Sequence, residues 1–251
     1  KKSLRGSGAM NLINKHILNH PVEIRDHPTD HSILREVYEN DEYSVREIRK
    51  VHEKLGGCIV DVGAHIGVFT AMCAGFWPDA KIFSIEAHPL NFDLLSRNTG
   101  SLSNVKIFNG AVGYGDCNMK LHLEDNLTEN TGGSTVSECI QFAGGEAGKP
   151  SGSIEVEQIK ISGLVERYAI SEISLLKLDC ESGEYSAIND LHENDMLKNV
   201  CWIRGEYHLS DDWCINALDR MVSQMSKTHE VSVNPSADGS QGLGLFVAHR
   251  K

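Results

Sequence analysis

Residues 58–67 read Cys58-Ile59-Val60-Asp61-Val62-Gly63-Ala64-His65-Ile66-Gly67. The first five make a short apolar strand that Gly63 stops, and a helix is expected from about Gly67 through Phe76. Glycines at such a turn let the backbone approach a bound nucleoside where a Cβ would collide. The spacing is Asp-x-Gly-x-x-x-Gly. It departs from the Gly-x-Gly-x-x-Gly that cradles a dinucleotide pyrophosphate.

Working outward, Lys81–Ile85 is a second strand that ends at Glu86, and Pro89 opens the next helix. An acidic side chain at that strand end can accept hydrogen bonds from both hydroxyls of a ribose. Val105–Phe108 is a third strand running into Asn109-Gly110-Ala111-Val112-Gly113. Strand-then-helix units in series give a parallel sheet covered by helices, so the fold class is α/β and Rossmann-like. Met119–Leu123 and Ile154–Ile161 alternate as half-exposed strands, around a Gly-, Ser-, Thr- and Glu-rich loop over 126–153. The regular pattern resumes with a helix at Gly163–Tyr168 and the strand Ser174–Leu178, ending at Asp179. A helix at Glu184–Leu191 and the strand Val200–Glu206 follow, then a helix capped by Asp211 and Asp212. Val231–Val233 and Leu243–Ala248 close the sheet as an antiparallel pair.

Residues 11–55 read as a helical, substrate-side segment ahead of one domain over 56–251, with Ile33–Leu55 helical and charged. Residues 1–10, with Gly6-Ser7-Gly8-Ala9-Met10, read as an added remnant before a native start near Met10 or Asn11. A net charge of −11 argues against a nucleic-acid partner. No apolar run of about 18 residues suggests a membrane span. The seven cysteines are scattered without CxxC spacing, which fits buried thiols in a reducing, cytoplasmic compartment.

The set Asp61-Val62-Gly63-Ala64-His65-Ile66-Gly67, Glu86-Ala87-His88-Pro89, Ala111-Val112-Gly113 and Lys177-Leu178-Asp179-Cys180-Glu181 resembles the FkbM family of methyltransferases, as does Pro28–Leu34. The resemblance implies the class I methyltransferase fold: a mostly parallel seven-stranded sheet with helices on both faces and S-adenosylmethionine over its carboxyl edge. It also implies O-methylation, often of sugar hydroxyls in glycans or natural products. The family's Asp-x-Glu-Gly-x-Glu is altered here, with Ser182 at the glycine position, which puts the turn's geometry and the roles of Glu181 and Glu184 at issue.

The expected cofactor set is Asp61, Gly63, Ala64, His65, Gly67, Glu86, Ala87, Asn109, Ala111 and Asp179. S-adenosylmethionine is already an activated donor, so the protein has mainly to align acceptor oxygen, methyl carbon and sulfur. An alcohol also needs a base or a metal. Asp179, first in rank, Glu206 and His208 are the catalytic candidates, His208 as a base with a useful pKa. The three residues alternatively converge on magnesium or manganese. Asp30, His31 and Tyr43 are candidate acceptor contacts, while Trp202 and Trp213 read as packing residues before sugar platforms. The acceptor is a small molecule or glycan. The rival readings are a protein, lipid or phenol acceptor, a nicotinamide oxidoreductase, and a cofactor-binding domain without activity.

Overall fold

The computed structural model describes residues 11–115, 118–123, 152–209, 212–235 and 242–251. Residues 1–10 and most of the expected 126–153 loop lie outside the described residues. The chain opens with an antiparallel hairpin, β1 (Leu12–Ile17) and β2 (His20–Arg25), where the sequence reading expected helix. Period-two burial explains the hairpin: Ile17, Val22 and Ile24 turn inward, while Pro21 is exposed and Glu23 only half-buried. Helix α1 (Pro28–Ile33), a π-helical turn (Leu34–Glu39) and α2 (Val45–Val51) complete the segment.

The main body runs β3 (Cys58–Val62), α3 (Val68–Phe76), β4 (Ile82–Glu86), α4 (Pro89–Thr99) and β5 (Val105–Asn109). Short strands β6 (Ala111–Val112), β7 (Met119–Leu123), β8 (Gly152–Val156) and β9 (Gln158–Ile159) lead into α5 (Ile161–Arg167). Then come β10 (Ile173–Leu178), α6 (Gly183–Glu193), β11 (Val200–His208), α7 (Asp212–Met225), β12 (His229–Pro235) and β13 (Leu243–Arg250).

Seven strands form one sheet in the order β5-β4-β3-β10-β11-β13-β12. All neighbours are parallel except β13, which is antiparallel to both β11 and β12. Neighbouring residues of the central strands face opposite layers. Val60, Leu176 and Ile203 pack with Ile188 and Leu191 of α6 and Met221 of α7. Ile59, Leu175 and Ile82 pack with Phe69 and Met72 of α3 and with the hairpin's Ile17, Val22 and Ile24. No helix among the described residues is long and apolar enough to cross a membrane.

This topology positions the site. Strand order reverses between β3 and β10, and open α/β sheets bind ligands at the carboxyl ends beside such a switch point. The hairpin is pinned there by Asn98 of α4, whose amide donates to Glu23 O (2.9 Å) and Ile66 O (2.8 Å). A buried Arg25–Asp30 pair (2.6 Å) then fixes α1 to the end of β2. The N-terminal segment thereby becomes one wall of the cleft.

Candidate active site

A cleft of about 330 Å3 opens over the carboxyl ends of β3, β4, β10 and β11. The N-terminal segment contributes Thr29, Ser32, Glu36, Val37, Glu42 and Tyr43 to its wall. Gly63, His65, Glu86, Ala87, Ala111, Asp179, Glu181 and Glu206 line it as well.

At the β3 turn Gly63 has φ +74°, and a Cβ there would lie 1.7 Å from the Asp179 carbonyl oxygen. The glycine is thus demanded by the close passage of the β3 and β10 ends, rather than by a ligand alone. Gly67 (φ +91°) answers to α4, where a Cβ would meet Leu95 at 2.9 Å. Gly67, Ala64, Asn109 and Asp61 do not line the cleft. Asn109 donates to Glu86 O (2.9 Å), bracing the end of β4.

Asp61 is wholly buried and supports the turn from beneath, where the sequence reading had it touching the cofactor. It accepts from Thr70 Oγ1 at 2.6 Å and pairs with Lys177 Nζ at 3.5 Å. Lys177, which sequence reading passed over, is the centre of this region. Its buried ammonium donates to Gly63 O (2.7 Å) and also pairs with Asp179 Oδ2 (3.5 Å). A lone lysine in the apolar run Ser174–Leu178 was the available signal.

The end of the cleft over β4 holds the single carboxyl of Glu86 between two backbone donors. Glu86 accepts from the backbone N–H groups of His65 (2.8 Å) and His88 (2.7 Å), which leaves lone pairs for a ligand. Burial, against those two bonds, raises its pKa. Burial lowers His65 to about 4, so its ring is neutral. Arg25 Nη2 lies 3.4 Å from His65 Nε2 and can only donate, so the proton sits on Nδ1, which has no partner.

The end over β10 and β11 is crowded with charge. Asp179 accepts from Tyr43 Oη at 2.8 Å. Burial raises the Asp179 pKa, but Lys177, His208 and the tyrosine bond outweigh it and hold it below the ordinary value. Glu206 is pushed up to about 8 by burial and then by Asp179. His208 lies 3.3 Å from Glu184, 3.5 Å from Glu181 and 4.0 Å from Glu206. Burial opposes its charge, yet Glu181 and Glu184 raise its pKa well above 6.5. The two carboxylates favour the imidazolium form of His208 over the neutral ring that a general base requires. Asp179, Glu206 and His208 each offer one ligand atom, all within 4.8 Å of one another.

The altered turn keeps the left-handed geometry a glycine would supply. Glu181 (φ 53°) and Ser182 (φ 74°) both adopt it, so Glu181 reaches the cleft and Glu184 reaches His208. Two acceptor candidates fall elsewhere: Asp30 is buried against Arg25, and the exposed His31 pairs with Asp26 at 3.2 Å. Trp202 stacks on His249 (4.0 Å), away from the cleft, and the side chain of Trp213 lies outside the described residues.

Known proteins bear on this geometry. Residues 61–230 match the family described as Methyltransferase FkbM domain. The chain is 27% identical over 165 residues to Methyltransferase sdnD of Sordaria araneosa, covering 57% of this chain and 64% of that protein. Its fold resembles an rRNA methylase from Streptococcus thermophilus (TM-score 0.50, 8% identity, 86% of this chain and 96% of the other). It resembles equally a Streptococcus mutans protein described as a methyltransferase and solved with SAH (TM-score 0.50, 10% identity, 84% and 97%). The strand order, the cleft at the switch point and the matched span together make this chain a member of the FkbM methyltransferase family with a class I, Rossmann-like methyltransferase fold.

Proposed function

We propose that the chain moves the methyl group of S-adenosylmethionine onto a hydroxyl oxygen, that of a sugar in a glycan or glycosylated natural product. The observation that carries this reading is the division of one cleft into a half at Glu86 with hydrogen-bonding atoms left open and an acidic half at Asp179 and Glu206. Glu86 suits a ribose diol, and the spare N–H of His65 suits the carboxylate of the methionine moiety. Thr29, Ser32, Glu36 and Glu42 give the wall the hydrogen-bonding oxygens that a polyhydroxylated acceptor needs.

In the reaction the sulfur–methyl bond breaks as the oxygen–methyl bond forms, and the hydroxyl gives up its proton. Alignment of the three atoms supplies up to ~7–11 kcal/mol in the best intramolecular cases. Asp179, Glu206 and His208 would hold a divalent cation, magnesium or manganese, next to Glu181. Such an ion supplies a lower hydroxyl pKa. The raised Glu206 pKa supports this, because it reports negative charge that the chain leaves uncompensated. A second reading needs no ion: with a pKa of about 8, Glu206 takes the proton in its ionised fraction, which grows as pH rises, and the His208 imidazolium favoured by Glu181 and Glu184 holds the resulting oxygen in place. The free cysteines Cys58, Cys73, Cys180 and Cys201 fit a reducing, cytoplasmic setting.

Transfer of labelled methyl from S-adenosylmethionine to a panel of glycosides and oligosaccharides, with and without EDTA, tests the proposal. Label on a sugar hydroxyl is the expected result, lost with EDTA under the first reading and kept under the second. Label appearing only on peptide, lipid or phenol acceptors added to the same panel contradicts the sugar assignment.

A further inference from the structure

The start of α4 holds buried polar atoms that nothing among the described residues satisfies. His88, 5% exposed, has neither ring nitrogen bonded, and Asn91, 3% exposed, has Oδ1 unbonded. Such atoms are rare in folded proteins, and each calls for an explanation. His88 is the N-cap of α4 and Asn91 lies in its first turn, and both line the cleft beside Glu86 and Ala87. Burial lowers His88 to about 4, so one ring nitrogen donates and the other accepts. Asn91 Oδ1 only accepts. A donor and an acceptor next to a diol-binding carboxylate are complementary to one edge of adenine, where the exocyclic amino group donates and the adjacent ring nitrogen accepts.

We infer that His88 and Asn91 read the base of the cofactor: Asn91 Oδ1 accepts from the adenine amino group and His88 donates to the neighbouring ring nitrogen. This rests on the methyltransferase reading and adds base selectivity to it. An oxo group in place of the amino group, as in hypoxanthine, sets oxygen against Asn91 Oδ1. His88 can answer the accompanying change at the ring nitrogen by exchanging tautomers, so selectivity resides mainly in Asn91. Asn91 can relieve part of the clash by turning its amide, whereas an aspartate there cannot.

Calorimetric titration of the full chain with S-adenosylhomocysteine and S-inosylhomocysteine tests this. The wild type should prefer the adenosyl ligand on the order of tenfold or more. Asn91→Asp should keep or widen that ratio, Asn91→Leu should bring it close to one, and His88→Phe should narrow it. Because the ratio is read within each variant, a loss of folding weakens both ligands together and does not imitate the effect. Equal affinities in the wild type, or an unchanged ratio in Asn91→Leu, overturn the inference while leaving the methyltransferase reading intact. Failure of the wild type to bind S-adenosylhomocysteine at all overturns both.

Discussion

The two halves of the cleft meet their polar groups in opposite ways. Over β10 and β11 the charged groups are paired: Asp179 with Lys177 and Tyr43, and His208 with Glu181 and Glu184. The result is displaced pKa values, with Glu206 near 8 and His208 raised by its two carboxylate neighbours. Over β4, Glu86 keeps spare lone pairs, and His65, His88 and Asn91 carry buried nitrogens or oxygens without a hydrogen-bond partner among the described residues. One half sets its charged groups against one another, and the other offers hydrogen-bonding atoms that the described residues leave open. Lys177 joins them, since it ties the Gly63 carbonyl to Asp179 across the switch point.

Breaking the acidic half should have the largest effect. Glu206→Gln is expected to lower the turnover by about 10²–10⁴, the range for loss of a group that handles the proton or its activation. S-adenosylhomocysteine affinity should stay within a few-fold, as calorimetry would show. Lys177→Met attacks the junction and leaves Asp61 and Asp179 without their buried cation. A loss of about 3–5 kcal/mol of stability is expected in denaturant unfolding.

The pH response sharpens the contrast further. Glu206 rises from 4.5 to about 8 on folding, so its contribution to stability is present at low pH and lost as pH climbs through about 8. The raised His208 acts in the same direction once pH passes 6.5. Asp179, lowered from 3.8, is ionised throughout that window and contributes no slope. Metal-free protein should therefore melt at lower temperature at pH 8.5 than at pH 6, Glu206→Gln should flatten the trend, and added manganese should oppose it. The smallest effect belongs to the turn between β10 and α6. Ser182→Gly relieves a left-handed serine and should stabilise by about 1 kcal/mol, net of the glycine's own entropy cost. Thermal unfolding would register it as an upward shift of a few degrees.

The acidic half was the more legible in sequence because charged residues at the ends of apolar strands stand out. Asp179 and Glu206 stand out in this way, as Glu86 does over β4, and all three line the cleft, while the alternation of strand and helix located the parallel sheet. For Asp61 the motif gives no sign of which way its side chain turns. It points beneath the sheet end to Thr70, and Val62 and Gly63 take the cleft side. Asp30 was misplaced because its partner, Arg25, lies on a hairpin whose polar residues hide its alternation. His88 and Asn91 were not legible as a pair, because an unsatisfied atom is defined by what three-dimensional packing withholds from it. Ser182 looked like a broken motif, yet its backbone takes the conformation the missing glycine would have supplied.

The division of the cleft is tested most directly by titrating S-adenosylhomocysteine and manganese separately into wild type, Glu86→Gln and Glu206→Gln. The account predicts that wild type binds both, that Glu86→Gln loses roughly tenfold or more in nucleoside affinity and keeps manganese, and that Glu206→Gln does the reverse. Variants that lose both ligands together, or that exchange these losses, would contradict it.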